Sequence, residues 1–144
     1  MVGDKTPDLL KPKGTNEKGD AMIIVKIMLN ALADKHLEVT QTLISLIKPV
    51  AKETGCRNYT VFCDIHDRNR FCMIGEWKTR KDLDQHIRST QFAVLLGIKP
   101  LLCESLDINI YTISHLQGME AIEAVRTKGV SDYSEISNPI TIKK

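Results

Sequence analysis

The sequence contains few aromatic residues and almost no excess of charge of either sign. Phe, Trp and Tyr make up 5% of its 144 residues, and 20 Lys and Arg against 18 Asp and Glu give a net charge of +2. No cluster of basic residues stands out that would follow a phosphate backbone, and few rings are available to stack on bases. These shortages argue against nucleic acid as a partner.

Long apolar segments are also missing. No run approaches the roughly 18 consecutive apolar residues that a membrane-spanning helix needs, so we expect no membrane insertion. The first 20 residues are rich in Lys, Asp, Gly and Pro and contain no apolar segment typical of a secretory signal. We interpret residues 1–20 as a flexible leader and expect the protein in the cytoplasm.

The sequence also shows no cluster of metal ligands and no phosphate-binding loop. Cys56, Cys63, Cys72 and Cys103 lie apart from one another without C-x-x-C spacing, and thiols in a cytoplasmic protein stay reduced. The four histidines are equally scattered, and no two of them form a cluster with a carboxylate at ligand spacing. No glycine-rich loop joins a strand to a helix. We therefore expect neither a metal nor a nucleotide cofactor.

What the sequence does contain is six segments with strand-type or helix-type apolar spacing. They are, in order, strand 22–29, helix 37–51, strand 57–65, strand 70–77, helix 79–96 and strand 102–113. Thr79 is the expected cap of the second helix, which Ser89-Thr90 interrupts. The stripe expected on the first helix consists of Leu37, Thr40, Leu43, Ile44, Ile47, Val50 and Ala51. The order β-α-β-β-α-β is typical of the ferredoxin-like α+β fold, a four-stranded antiparallel sheet with both helices on one face. We assign this fold to residues 21–114, and interpret 115–144 as an extension that is partly helical or disordered.

The other face of the predicted sheet has no helix to cover it. The hairpin and the last strand offer apolar residues on both of their faces, and a bare apolar sheet face implies a partner. A homodimer that packs sheet against sheet is the economical solution. We therefore expect a dimer.

The register of the predicted hairpin depends on where its turn is centred. If the hairpin is symmetric about residues 67–68, Cys63 lies opposite Cys72 and Tyr59 lies opposite Glu76. Cysteines that face each other directly form strained bridges, so we expect these two residues to be small buried hydrophobes with free thiols.

The switch from the third strand to the second helix carries the only tryptophan, Trp77, and, nine residues later, His86. A tryptophan that ends a strand and a histidine two turns into the next helix can flank the mouth of a pocket between sheet and helix. Both residues also have structural interpretations. Trp77 can simply fill the core, and His86 can hydrogen-bond a backbone carbonyl.

Three segments resemble one known family. ETGCRNY at residues 53–59, GEW at 75–77 and DLDQHIRSTQF at 82–92 are similar to the antibiotic biosynthesis monooxygenase family of dimeric α+β barrels, especially its quinol monooxygenase branch. The resemblance covers residues 22–113. It implies oxygenation of quinol-type or polycyclic molecules without metal, flavin or haem, in a pocket between the helices and the sheet. Haem is disfavoured because Met28 stands where the haem-degrading branch has an asparagine.

Five residues are candidates for the site that the resemblance implies. Imidazole titrates near neutral pH, so His86 can take a proton from a phenol as general base. Trp77 can form a wall that stacks on a planar substrate, and Phe92, the third member of the matching pattern, is a second candidate for that contact. Tyr59 and Asn30 can hydrogen-bond substrate oxygens. The alternatives are a contact between Tyr59 and the carboxylate opposite it, and a turn role for Asn30.

The leading hypothesis is a cofactor-independent monooxygenase that acts on a small aromatic or quinol-type molecule with molecular oxygen. The first alternative is a non-catalytic dimeric module that binds a small ligand, which is favoured if Met28, Phe62, Met73 and Phe92 pack the pocket shut. The second alternative is an isomerase of a small signal molecule on the same fold. That reaction needs several polar groups that converge in the pocket.

Overall fold

The computed structural model describes residues 22–128, which form two units that divide between His115 and Leu116. The first unit holds the sheet and its helices, and the second holds one further helix. The predicted leader and the part of the predicted extension beyond residue 128 lie outside the described residues. Within residues 22–128, no helix combines the length and apolar character needed to cross a membrane.

Four strands form one antiparallel sheet in the order β2-β3-β1-β4. The strands are β1 (Met22–Asn30), β2 (Cys56–Cys63), β3 (Arg70–Trp77) and β4 (Asp107–Ile113). The helices of this unit are α1 (His36–Ala51), α2 (Arg80–Ile87) and α3 (Thr90–Leu96). Short 3-10 turns, Ala33–Lys35 and Lys99–Leu101, precede α1 and follow α3. The predicted ferredoxin-like α+β fold is confirmed.

Residues of the two central strands alternate between a buried and a half-buried face. The odd-numbered residues share one core with the helices. On this face lie Ile23, Val25, Ile27, Leu29, Phe71, Met73 and Trp77. The even-numbered residues from Ile24 to Asn30 and from Cys72 to Glu76 point the other way and are only half-buried. The helices therefore cover one face of the sheet.

The buried stripe of α1 differs from the expected one. Leu37 and Ile44 are 62% and 60% exposed, so the prediction that they face the core is wrong. The residues that α1 buries are Val39, Leu43, Leu46 and Val50. Leu43 and Val50 belong to the expected stripe, so the prediction is confirmed for these two. Both stripes have helical spacing, and they differ by a rotation of the helix about its axis. Packing against the sheet selects between them.

The hairpin pairs one residue out of the expected register. Cys63 lies opposite Phe71 and Tyr59 lies opposite Gly75, so both predicted pairings are wrong. The cause is the turn, where the Asp64 carboxylate accepts hydrogen bonds from the backbone N–H groups of residues 66 and 67. This arrangement makes a six-residue loop between the strands. A shift of one residue puts Cys63 and Cys72 on opposite faces. All four cysteines are free thiols, but the prediction that Cys63 and Cys72 are buried is wrong, since Cys63 is exposed and Cys72 is half-buried.

The last strand is shorter than expected, because β4 begins at Asp107 rather than at residue 102. Leu102 instead forms an isolated bridge with Ala31, directly after the 3-10 turn that contains Pro100. The second unit, considered by itself, contains α4 (Met119–Thr127). Its apolar side chains recur every three residues, at Met119, Ile122 and Val125, and all three are exposed.

The turn between α1 and β2 depends on Gly55. Its φ of +80° lies in the left-handed region, and it is the only residue between 22 and 128 that is recorded with a positive φ. A Cβ atom at this position would collide with the Asp82 side chain in the first turn of α2. The Gly55 carbonyl also accepts a hydrogen bond of 2.8 Å from the N–H of Lys78. The turn is thereby held against the start of α2.

We expect Gly55→Ala to lower the free energy of unfolding by about 1–3 kcal/mol, because alanine disfavours a positive φ and meets Asp82. The measurement is urea unfolding followed by circular dichroism. Gly97→Ala is the matched control, because Gly97 has right-handed helical angles. That variant should stay within about 1 kcal/mol of the wild type. Equal effects of the two substitutions would contradict this account of the turn.

Candidate functional site

The centre of the site is a stacked pair, Trp77 at the end of β3 and His86 in α2. Their ring centroids lie 4.5 Å apart with an interplanar angle of 25°. Trp77 is 1% exposed and His86 is 5% exposed. Helix α2 begins where the Thr79 hydroxyl accepts a hydrogen bond of 3.1 Å from the N–H of Asp82, the predicted cap. Two turns later the same helix presents His86 to the indole.

Two further rings surround the imidazole with their edges. Phe92 lies 5.3 Å from His86 at 81°, and Tyr59 lies 6.3 Å away at 67°, both as centroid distances. Phe92 reaches this position because the chain breaks at Ser89, whose hydroxyl caps α3 by accepting from the Phe92 N–H. The structure thus brings together four of the five predicted residues.

Tyr59 lies over the cross-strand glycine rather than beside a carboxylate. A Cβ atom at Gly75 would be 3.3 Å from Tyr59 Cδ1 and 3.0 Å from Trp77 Nε1. Glu76, the partner expected for Tyr59, pairs with Asn58. The absence of a side chain at Gly75 therefore lets the phenol ring and the indole approach the same point of the sheet.

Asn30 does not join this group. It pairs with Arg70, at the end of β1 opposite the Ile23–Trp77 pair, and it belongs to the half-buried face of the sheet. Its side-chain amide donates a hydrogen bond of 3.0 Å to Glu104 Oε2. Asn30 therefore lies apart from the aromatic cluster.

Glu53 is the residue at this site that the sequence argument did not propose. Its Oε1 lies 2.8 Å from His86 Nδ1, and the two side chains are 18% and 6% exposed. Its other carboxylate oxygen, Oε2, is buried and makes no hydrogen bond with any described residue. The available signal was its place at the start of ETGCRNY, but no spacing rule connects residues 53 and 86.

A small cavity adjoins the imidazole on the helix side of the sheet. Its volume is about 10 Å³, which holds about one water molecule. It is lined by Val25, Ile27, Tyr59, Met73, Gly75, Trp77, His86 and Phe92. An apolar cavity that binds benzene has a volume of about 150 Å³, so the cavity as it stands has no room for an aromatic ring.

Burial changes the acidity of two groups beside the site. It raises the pKa of the Tyr59 phenol, and the charges of Cys56 and Glu53 add to this effect. Burial also raises the pKa of the Cys56 thiol to about 11. Cys56 is therefore protonated at neutral pH and is a poor nucleophile, and Tyr59 is a hydrogen-bond donor rather than a base.

The chemistry available here is proton transfer. Nδ1 of His86 is engaged by Glu53, which leaves Nε2 as the ring nitrogen that can exchange a proton with a bound molecule. Among residues 22–128, no group of three or more His, Cys, Asp or Glu side chains is arranged to hold a metal ion. The polar group at the cavity that can transfer a proton is thus the His86 imidazole, and the Tyr59 hydroxyl and the Trp77 N–H are nearby hydrogen-bond donors.

We expect the free energy of unfolding to fall as the pH rises from about 9 to about 11. The unfolded chain loses the Cys56 proton first, because the folded-state pKa is raised to about 11. Below pH 9 both states keep this proton and the contribution is constant. Urea midpoints at pH 8 and pH 10.5 measure the loss, which should be smaller in Cys56→Ala than in the control Cys63→Ala at an exposed position. An identical loss in both variants would contradict the assignment to Cys56.

Comparison with known proteins agrees with this fold. A family model described as antibiotic biosynthesis monooxygenase matches residues 22–95, just over half of the chain. An uncharacterized protein of Synechocystis sp. is 29% identical over 99 residues, which are 68% of this chain and 67% of that protein.

Two solved structures are similar to the same part of the chain. A conserved protein from Methanosarcina mazei is 31% identical with a TM-score of 0.62, over 67% of this chain and 96% of that one. A protein from Mycobacterium tuberculosis has the same TM-score at 18% identity, over 68% of this chain and 98% of its own, and shows the fold alone. On the family match over residues 22–95, this chain belongs to the antibiotic biosynthesis monooxygenase family.

Proposed function

We propose that the protein is a cofactor-independent monooxygenase of a small aromatic, quinol-type molecule, with His86 as general base. The observation that carries the proposal is the position of the imidazole. It lines the cavity, is almost fully buried, and is held on one face by Trp77 and at Nδ1 by Glu53. A buried, oriented histidine at a cavity is the arrangement that general base catalysis needs.

In the proposed reaction His86 Nε2 takes the proton of a substrate hydroxyl. The resulting phenolate is electron-rich and reacts with molecular oxygen directly. One oxygen atom enters the ring as a hydroxyl group and the other leaves as water. The hydroquinone is oxidised to a hydroxyquinone in the same reaction, so the substrate supplies all the electrons. Tyr59 would donate a hydrogen bond to a substrate oxygen, and Trp77 and Phe92 would contact the ring.

A substrate must enlarge the cavity before it can bind. Met73 and Phe92 fill the space beside His86 and are 1% and 7% exposed. Phe92 lies in the first turn of the seven-residue helix α3, so a small displacement of this helix would open the cavity next to the imidazole. The monooxygenase proposal therefore includes a movement of the cavity lining on binding.

The same packing favours a second candidate, a non-catalytic module on this fold. Met73 and Phe92 fill the helix side as that hypothesis requires, whereas Met28 and Phe62 lie on the opposite face of the sheet and do not contribute. Such a module would bind a small ligand without consuming oxygen. An isomerase is less well supported, since few polar groups converge on the cavity.

We also propose a homodimer that packs through the half-buried face of the sheet. This face carries the apolar side chains of Ile24, Met28, Ile74 and Phe62 around Lys26, with Phe62 50% exposed, and exposed apolar side chains on a sheet face are typical of an interface. Residues 21–114 would be the unit that dimerises. A cytoplasmic location, where the four free thiols stay reduced, completes the proposal.

We expect purified protein to consume oxygen with at least one member of a hydroquinone panel, and His86→Ala to lower the rate at least about 100-fold, because the base is lost. An oxygen electrode measures both rates. His66→Ala, in the exposed hairpin loop, is the control and should retain the wild-type rate. No uptake by the wild type rejects the monooxygenase for these substrates, and ligand binding without uptake supports the module. Equal rates in wild type and His86→Ala reject the role of His86.

The dimer is tested by sedimentation of Phe62→Glu, which places a charge on the proposed interface at a position whose cross-strand partner is the uncharged Cys72. We expect the wild type to sediment as a dimer and this variant as a folded monomer, because an unpaired charge opposes burial. Ile65→Glu is the matched control, since Ile65 is 92% exposed at the hairpin tip, and it should remain dimeric. A monomeric wild type, or a dimeric Phe62→Glu variant, would contradict the proposed interface.

A further inference from the structure

The carboxylate of Glu53 reaches His86 from a turn whose backbone is held on both sides. The N–H of Glu53 donates a hydrogen bond of 2.9 Å to the carbonyl of Val50, and its carbonyl accepts one of 3.1 Å from the N–H of Cys56. Gly55 in the same turn packs against Asp82, which lies one helical turn before His86 on the same side of α2. The turn therefore lies along α2 and delivers Glu53 to His86.

We infer that Glu53 is a positioning residue for the base: it accepts a hydrogen bond from His86 Nδ1–H, so that the neutral ring keeps Nε2 unprotonated. This inference rests on the proposed role of His86 and deepens it. In a histidine, the hydrogen bond made by one ring nitrogen decides which tautomer the other presents. The carboxylate would also stabilise the imidazolium that forms when Nε2 takes a proton, as the acid of a catalytic triad does.

Trp77 and Glu53 constrain different motions of the same ring. Stacking at 4.5 Å fixes the plane of the imidazole, but a half-turn of the ring about its Cβ–Cγ bond returns it to the same plane and would leave the stack intact. The half-turn would replace Nδ1 by a carbon opposite Glu53 and break the 2.8 Å contact. Glu53 therefore selects the one orientation in which a nitrogen is free on the other side of the ring.

The burial of one oxygen of the Glu53 carboxylate supports a role beyond packing. Oε2 is buried and has no partner among the described residues, and an unsatisfied buried carboxylate oxygen destabilises the folded state. The turn is already attached to its neighbours by the contact between Gly55 and Asp82 and by the hydrogen bond from Lys78 to Gly55. A purely structural link to α2 does not need an additional buried charge.

The tautomer of His86 tests the inference without any substrate. Long-range proton–nitrogen correlation spectra of the nitrogen-15-labelled protein, with His86→Gln used to assign the signals, should show Nδ1 protonated and Nε2 unprotonated at a pH where the ring is neutral. Glu53→Ala should shift the population towards the Nε2–H form. Glu38→Gln, an exposed carboxylate on α1, should leave the spectrum unchanged. A protonated Nε2 in the wild type, or an unchanged tautomer in Glu53→Ala, would overturn the inference.

Kinetics give the second measurement. Glu53→Gln keeps the shape of the side chain and removes its charge, so we expect kcat to fall at least about tenfold while KM changes less than about threefold. Glu38→Gln should retain both constants. An unchanged kcat in Glu53→Gln would overturn the inference even if His86 proves to be the base. If the wild type consumes no oxygen with any hydroquinone, the proposed reaction fails, and the tautomer spectra still decide whether Glu53 orients the ring.

Discussion

The stacking of His86 on Trp77 is the contact on which the rest of the site depends. It joins the end of β3 to α2 and occupies the space that Gly75 leaves open on the sheet. Because both rings are almost fully buried, each neighbouring side chain must either be apolar or form a hydrogen bond with the imidazole. Phe92 does the first and Glu53 does the second. A polar, titratable ring is thereby held inside a hydrophobic core, where small changes around it have large electrostatic consequences.

The family assignment determines the fold more firmly than the reaction. One fold supports many activities, and function is argued from the site. Here the site offers one oriented base next to a cavity of about 10 Å³, so a catalytic protein must open this cavity to admit an aromatic ring. The reaction we propose needs nothing beyond a base, oxygen and an oxidisable substrate. The small cavity thus favours a binding module, whereas the buried carboxylate beside the base favours an enzyme on the same scaffold.

The apolar patterns of the sequence predicted the order of the strands and helices, but they did not predict the hairpin register or the buried side of α1. Alternation and helical spacing gave the order of strands and helices. Thr79 caps α2 as expected, and α3 begins after Ser89, where the interruption was expected. The hairpin register was missed by one residue, because the Asp64 side chain closes a turn whose hydrogen bonds have no counterpart in the alternation. The α1 stripe was misplaced for a related reason: two stripes of similar spacing exist on this helix, and only the sheet beneath it discriminates between them.

By itself the sequence determined the fold class, the uncovered sheet face and the proximity of Trp77, His86 and Phe92, since these residues lie on adjacent elements in a known order. Tertiary structure alone decided that Glu53 meets His86 across 33 positions, that Asn30 lies at the far end of β1, and that the cavity is too small for an aromatic ring. Those outcomes depend on how separate elements pack to a fraction of an ångström, and such distances are not encoded in the periodicity of any single segment.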